Sequence, residues 1–183
     1  MRIIAGQRRG KRLAAPRNRD IRPTADRIRE SIFSIISDRV DGACVLDLFA
    51  GTGAMGLEAL SRGAAQATFV DSDSGAAALI RRNLAACGFA DRGRVVRRNA
   101  LDALVGMRGR NIFDLVFMDP PYDRALVAPT LTVLSASAVA VPHALVVVEH
   151  APGEHVPLQA DGWQRIDQRR YGKTLVSFMT PML

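Results

Sequence analysis

From residue 43 onward, this 183-residue chain predicts an α/β fold: a largely parallel sheet, covered by helices on both faces and closed by an antiparallel hairpin. Three observations carry that expectation. Short apolar runs alternate with segments of helical spacing, the pattern of strands joined by right-handed crossovers. The first apolar run ends in a glycine-rich turn, DLFAGTGAMG (47–56). Near the end, WQRIDQRRY and TLVSFMT flank Gly172 and Lys173, which reads as a hairpin.

The elements follow in order. TADRIRESIFSIISD (24–38) reads as a helix, with Thr24 as its cap and Asp26 at its positive end. Ile28, Ile32, Phe33, Ile35 and Ile36 give it an apolar stripe. ACVLDLF (43–49) is a buried strand, followed by the glycine turn and a helix, MGLEALSR, that stops at Gly63. ATFVD (67–71) is the second strand, and the helix over 74–87 ends at the stop signal Gly88. RVVRR (94–98) is the third strand, leading into a short helix over 101–107. IFDLVFM (112–118) is the fourth and runs into DPPY; a helix over 126–134 and the strand ALVVVE (144–149) follow. Open sheets of this kind bind ligands beyond the carboxyl ends of their strands, where Asp47, Asp71, Asn99, Asp119 and Glu149 all fall.

Charge is unevenly spread. Residues 1–30 hold ten Lys or Arg against three acids, so the whole formal net charge of +7 lies in that segment. A basic arm on a neutral body is an electrostatic footprint of nucleic-acid binding, with Arg8, Arg9, Lys11, Arg12, Arg22 and Arg27 as candidate contacts. No apolar run is long enough to cross a membrane, and MRIIAGQRRGKRL turns basic before a secretory core forms. Cys44 and Cys87 make neither a disulfide framework nor a metal-ligand spacing, so reduced thiols, a cytoplasmic location and no metal are expected.

The turn contains a literal G-x-G-x-x-G at Gly51, Gly53 and Gly56, with Asp71 twenty residues after the first glycine. That pattern suits a dinucleotide, whose pyrophosphate sits at the helix N-terminus. Asp47, four residues before Gly51, would oppose a pyrophosphate. It suits a ligand carrying a cationic amine and a sulfonium beside a neutral nucleoside, which describes S-adenosylmethionine. Gly51 and Gly53 let backbone approach such a cofactor, and Asp71 is placed to accept from ribose hydroxyls. Asp73 either assists or caps the following helix.

DPPY (119–122) supplies the discriminating chemistry. Two prolines restrict the backbone and offer no N–H, which leaves the Asp119 carboxylate and a main-chain carbonyl as an acceptor-only cradle. Two acceptors can orient the hydrogens of an exocyclic amine and turn its lone pair toward a methyl group. Tyr122 offers a ring on which a base can stack. Catalysis would then be mostly positioning, with Asp119, Pro120, Pro121 and Tyr122 as the catalytic group.

With these motifs in this order, the chain resembles the RsmD-type 16S rRNA guanine-N2 methyltransferases of bacteria. The resemblance rests on RIIAGQRRGKRL, RPTADRIRESIF, LDLFAGTGAMGLEALSRGA, FVDSD, FDLVFMDPPY and RRYGKT, nearly the whole length. RPTADRIRE together with GLEALSRGA is its most specific part. It implies a Rossmann-like class I methyltransferase with a mostly parallel seven-stranded sheet, and a guanine of small-subunit rRNA as target. It also implies that Asp47, Gly51 and Gly53 contact the methionine part of the cofactor, and Phe49, Ala50 and Ser72 are further cofactor-binding candidates. Asp71 would then meet the ribose, Asn99 and Ala100 the adenine, and 119–122 the guanine amine, with Asp119 also touching the cofactor. Residues 1–23 would form an RNA-binding extension and 24–183 the methyltransferase domain. The expected partner is 16S rRNA in the small ribosomal subunit or its assembly intermediate, met by a monomer.

Three rivals remain at this point. Methylation of adenine N6 or another amino group is open, because DPPY recognises an amine and not its ring. An NAD oxidoreductase lacks a partner for hydride chemistry, since His143, His150 and His155 are late and in no motif. A non-enzymatic RNA-binding assembly factor would need the basic arm but neither Asp47 nor DPPY.

Overall fold

The apolar runs become a single sheet in the computed structural model, which describes residues 1–15, 26–110, 112–122, 124–154 and 156–182, without the side chain of Ala160. Arg22, the Thr24 cap and His155 lie outside the described residues. The strands are β1 (Cys44–Leu48), β2 (Gln66–Asp71), β3 (Gly93–Arg97), β4 (Phe113–Met118), β5 (Ala140–His150), β6 (Gln159–Ala160), β7 (Trp163–Tyr171) and β8 (Thr174–Pro181). Their order across the sheet is β3-β2-β1-β4-β5-β8-β7-β6. The first five run parallel, and β8, β7 and β6 are antiparallel additions. The seven expected strands are present; β6 adds a two-residue eighth at the edge, too short for a periodic signal.

The helices are α1 (Asp26–Ile35), α2 (Ala54–Ser61), α3 (Ser74–Cys87), α4 (Ala100–Gly106) and α5 (Val127–Ser137). Alternation along each strand builds two cores. Val45, Phe69, Leu115, Phe117, Val147 and Phe178 face α1, α2 and α3, whereas Leu48, Val70, Met118, Val148 and Met179 face α4 and α5. Asp73 caps α3 by accepting from Ala76 N at 2.7 Å, and Gly88 closes that helix at φ +70°. α1 is shorter than the 24–38 expected and passes into a 3-10 turn at Ser37–Arg39. Ile32, Phe33 and Ile36 are buried, but Ile35 is 40% exposed, because five apolar residues in nine cover more of the helix than one face can bury.

The basic N-terminal segment is not a loose arm over residues 1–15. It doubles back through an Arg2–Arg12 bridge and a 3-10 turn at Gly6–Arg8, burying Ile3 and Leu13 in the core beside α2 and α3. Glu58, fully buried on α2, accepts from Ile4 N at 2.8 Å and Ala5 N at 3.0 Å. The same carboxylate meets Arg62 Nε at 2.7 Å and the fully buried Arg29 of α1 at 3.7 Å, and Arg29 donates on to the Arg2 carbonyl. RPTADRIRE and GLEALSRGA thus touch through one ion pair. Asn83 of α3 ties Ala14 to the glycine turn: it accepts from Ala14 N at 2.8 Å and donates to Ala14 O and Thr52 O, each at 3.1 Å.

Candidate active site

At the end of β1 the backbone turns sharply, with Phe49 at φ +59°, Gly51 at +53° and Gly53 at +75°. A left-handed phenylalanine is costly and points to a turn held by its surroundings. Ala50 N donates to Val70 O at 3.0 Å, and Gly51 N donates to the Asp71 carboxylate at 2.8 Å. Asp71 also accepts from Asp73 N at 2.9 Å, so it first fixes the turn against β2 and keeps remaining lone pairs for a ligand. Gly56 has a different task. A Cβ there would strike the Phe69 ring, so this third glycine serves the packing of α2 on the sheet.

A cavity of about 310 Å³ opens beside the turn, lined by Phe49, Asp71, Ser72, Asn99, Ala100 and Pro121, together with Val70, Leu101, Asp102, Arg124 and Leu126. Five expected cofactor residues therefore converge. Asn99 also caps α4, accepting from Asp102 N at 2.9 Å. Asp47, Ala50, Gly51, Gly53 and Asp119 are not among the lining residues; they lie around the turn and along the adjoining strand ends. A larger depression of about 580 Å³, between Pro142, Gln164 and Pro181, shares none of these residues.

Three carboxylates gather on the α2 face of the sheet. In register, Asp47 sits opposite Phe117 and Phe117 opposite Val147, so Asp119 and Glu149, each two residues on, extend the same row. Asp47 is 4% exposed and accepts from Gly56 N at 3.0 Å. Burial pushes its carboxyl up to about 7, with the Gly56 bond opposing and Asp71 adding to the rise. Asp119 is held well above the usual carboxylate range by burial, then by Glu149 and Asp47. Such a cluster wants a cation, and an ammonium and a sulfonium are what S-adenosylmethionine offers. The donor set fits that cofactor and not a pyrophosphate.

Tyr122 is half-buried, with its hydroxyl 3.4 Å from Glu149 Oε1 and 3.2 Å from Thr174 Oγ1. Burial raises its ionisation above the ordinary phenol value. Glu149 was visible in the sequence as a strand-end acid, but its grip on Tyr122 was not; Thr174 carried no signal beyond its hairpin motif. Of the late histidines, His150 is buried against Ser177 Oγ at 2.9 Å, and neither it nor His143 lines the cavity.

The candidate RNA contacts are scattered. Arg8, Arg9, Lys11 and Arg12 are exposed on the folded segment. Arg8 N bonds Ser61 Oγ at 3.0 Å and Arg8 Nε bonds Cys87 O at 2.6 Å, at the last residues of α2 and α3. Both helices run back from the glycine end of the sheet, so Arg8 sits at the far end from Asp119. Arg27 is exposed on α1, near the catalytic end.

Fold and site together define a class I S-adenosylmethionine-dependent methyltransferase. Within that class, the chain belongs to the family described as conserved hypothetical protein 95, whose model matches residues 1–180. It is 39% identical over 163 residues to ribosomal RNA small subunit methyltransferase D of Escherichia coli K12, covering 89% of this chain and 81% of that one. The protein of the same name from Haemophilus influenzae is 32% identical over 174 residues, covering 94% and 89%. The solved yhhF structure from Escherichia coli superposes with a TM-score of 0.88 at 35% identity, covering 99% of this chain and 97% of that one.

Proposed function

We propose that this protein methylates the exocyclic N2 amine of a guanine in 16S rRNA, within the small ribosomal subunit or its assembly intermediate. It does so as a cytoplasmic monomer. When bound, S-adenosylmethionine supplies an electrophilic methyl group. The observation that carries the reading is Asp119 at the end of β4, fixed by two prolines and set in the carboxylate row beside the glycine turn. Asp47, Phe49, Ala50, Gly51 and Gly53 hold the methionine end of the cofactor, Asp71 and Ser72 the ribose, and Asn99 and Ala100 the adenine.

Asp119 and a carbonyl of 119–122 accept the two amine hydrogens and aim the lone pair. The raised proton affinity of Asp119 lets the same carboxylate take the proton released after transfer. Tyr122, steadied by Glu149 and Thr174, stacks the base. Residues 1–23 serve as an RNA-facing extension of a methyltransferase domain over 24–183, docked on that domain over residues 1–15.

The test is incubation of purified protein and labelled cofactor with small subunits from a strain deleted for the corresponding activity, followed by mass-spectrometric mapping of the rRNA. One methyl on a guanine N2 is expected. Label on adenine N6, or on a protein glutamine, would move the enzyme to the second amino-group reading and overturn this one.

A further inference from the structure

Net charge directed attention to the first thirty residues, but the β7–β8 turn carries cations of its own. β8 runs antiparallel to β5, with His150 opposite Leu175 and Glu149 opposite Val176. The β7–β8 turn therefore projects at the end of the sheet that carries Asp119. Two hydrogen bonds fix it there. Thr174 Oγ1 lies 3.2 Å from the Tyr122 hydroxyl, and the Tyr171 hydroxyl lies 2.6 Å from Ser31 Oγ of α1.

The turn is cationic and exposed. Arg169, Arg170 and Lys173 all face solvent. Asp167, the one acid of β7, is engaged with Arg169 at 2.9 Å. Arg170 starts from the sheet face opposite Tyr171, and its Nε donates to Gly172 O at 3.2 Å, which ties its guanidinium to the tip of the turn. Lys173 makes no ion pair among the described residues. Arg27 stands one helical turn before Ser31 on the same face of α1, which adds a cation beside Tyr171.

From β4 to β7 is three strand spacings, about 14 Å, so phosphates close to a base held at Asp119 fall within reach of these side chains. Planar guanidinium and mobile ammonium groups suit phosphate oxygens. Resting on the rRNA methyltransferase reading, we propose that the β7–β8 turn, through Arg170 and Lys173 with Arg27 beside it, is a phosphate-binding surface. It holds the RNA strand next to the target guanine.

The experiment compares wild type with the Arg170→Ala/Lys173→Ala double variant on undermethylated small subunits and on deproteinised 16S rRNA. Binding is measured across a salt series, and single-turnover methylation at saturating enzyme. The double variant should bind both probes about tenfold more weakly, with a salt slope shallower by about one to two, because fewer counterions are released. Its S-adenosylmethionine affinity and melting temperature should match wild type, and Arg170→Lys with Lys173→Arg should restore binding. Unchanged affinity and slope overturn the proposal. A loss seen on subunits but not on naked rRNA also overturns it, by making the contact a ribosomal protein, and so does failure of the charge-conserving variant to rescue. If wild type itself methylates no rRNA, the broader reading fails and the turn is not at issue.

Discussion

Asp47 offers the sharpest test of the cofactor assignment. Its carboxyl is pushed from 3.8 in the unfolded chain to about 7 in the fold, chiefly by burial. Between those values the folded state holds a proton that the unfolded state has released, so stability falls as pH rises through that window. A rise of about 3 pH units corresponds to a cost of about 4 kcal/mol once the group is ionised above about pH 7. A bound ammonium or sulfonium reverses the preference by favouring the carboxylate. Binding must then expel a proton below about pH 7, and at about pH 5.5, where roughly one molecule in thirty is ionised, affinity should be about thirtyfold weaker than at pH 8. Titration calorimetry in two buffers of different ionisation enthalpy reads that proton directly. Asp47→Asn keeps an acceptor for Gly56 N–H and removes the titration, so the free protein should melt higher at about pH 8, by the order of 10 °C, with little gain at about pH 5. Affinity that does not change with pH in wild type, or a pH slope that survives intact in Asp47→Asn, would refute the reasoning.

Asp119→Ala should slow single-turnover methyl transfer by about 10²–10³ while RNA binding changes little, because the acceptor acts mainly in the transition state; near-normal turnover would misplace that role. Tyr122→Phe, which keeps the ring but drops the bonds to Glu149 and Thr174, should be milder than Tyr122→Ala in both base capture and turnover. Replacing Arg9, Lys11 and Arg12 by Ala should flatten the salt dependence of RNA binding by up to about 2–3 in slope, with the saturated rate preserved. Arg8 is best left intact, since its bond to Cys87 O helps dock the segment. Glu58→Ala should cost about 2–4 kcal/mol in a denaturant titration, because it leaves two backbone N–H groups unsatisfied and takes the buried partner from Arg29, which keeps only Asp26 at 3.0 Å as a counter-charge; a cost under about 1 kcal/mol would show that the network relaxes freely.

Much of this was legible beforehand because strand ends in a parallel sheet are set by local patterning. Asp47, Asp71, Asn99 and Asp119 needed only the order of apolar runs and glycine stops to reach one edge. What the sequence hid depends on partners far apart in the chain. Arg29 and Glu58 stood in two separate motifs, and nothing in either says that they meet in the core. Tyr122, Glu149 and Thr174 converge only once β8 pairs with β5. The N-terminal segment did carry a signal, Ile3 and Leu13 among its cations, but charge dominated the reading and the apolar pair marked a folded hairpin instead.

The hydrogen bonds that seat this hairpin also set a timetable for the growing chain. Ala5 waits for a carboxylate 53 residues downstream, Ala14 for an amide 69 residues downstream, and Arg8 for a carbonyl 79 residues downstream. At about 5–20 residues per second, its anchors are still unmade for roughly 4–15 s after the segment itself is synthesised. Throughout that interval five exposed cations, together with Ile3 and Leu13 not yet buried, travel on an unfolded tether beside a machine built largely of RNA. A protease pulse on synthesis-arrested chains should therefore cut between Arg8 and Arg12 until α3 is complete, and cease to cut there once Cys87 has emerged.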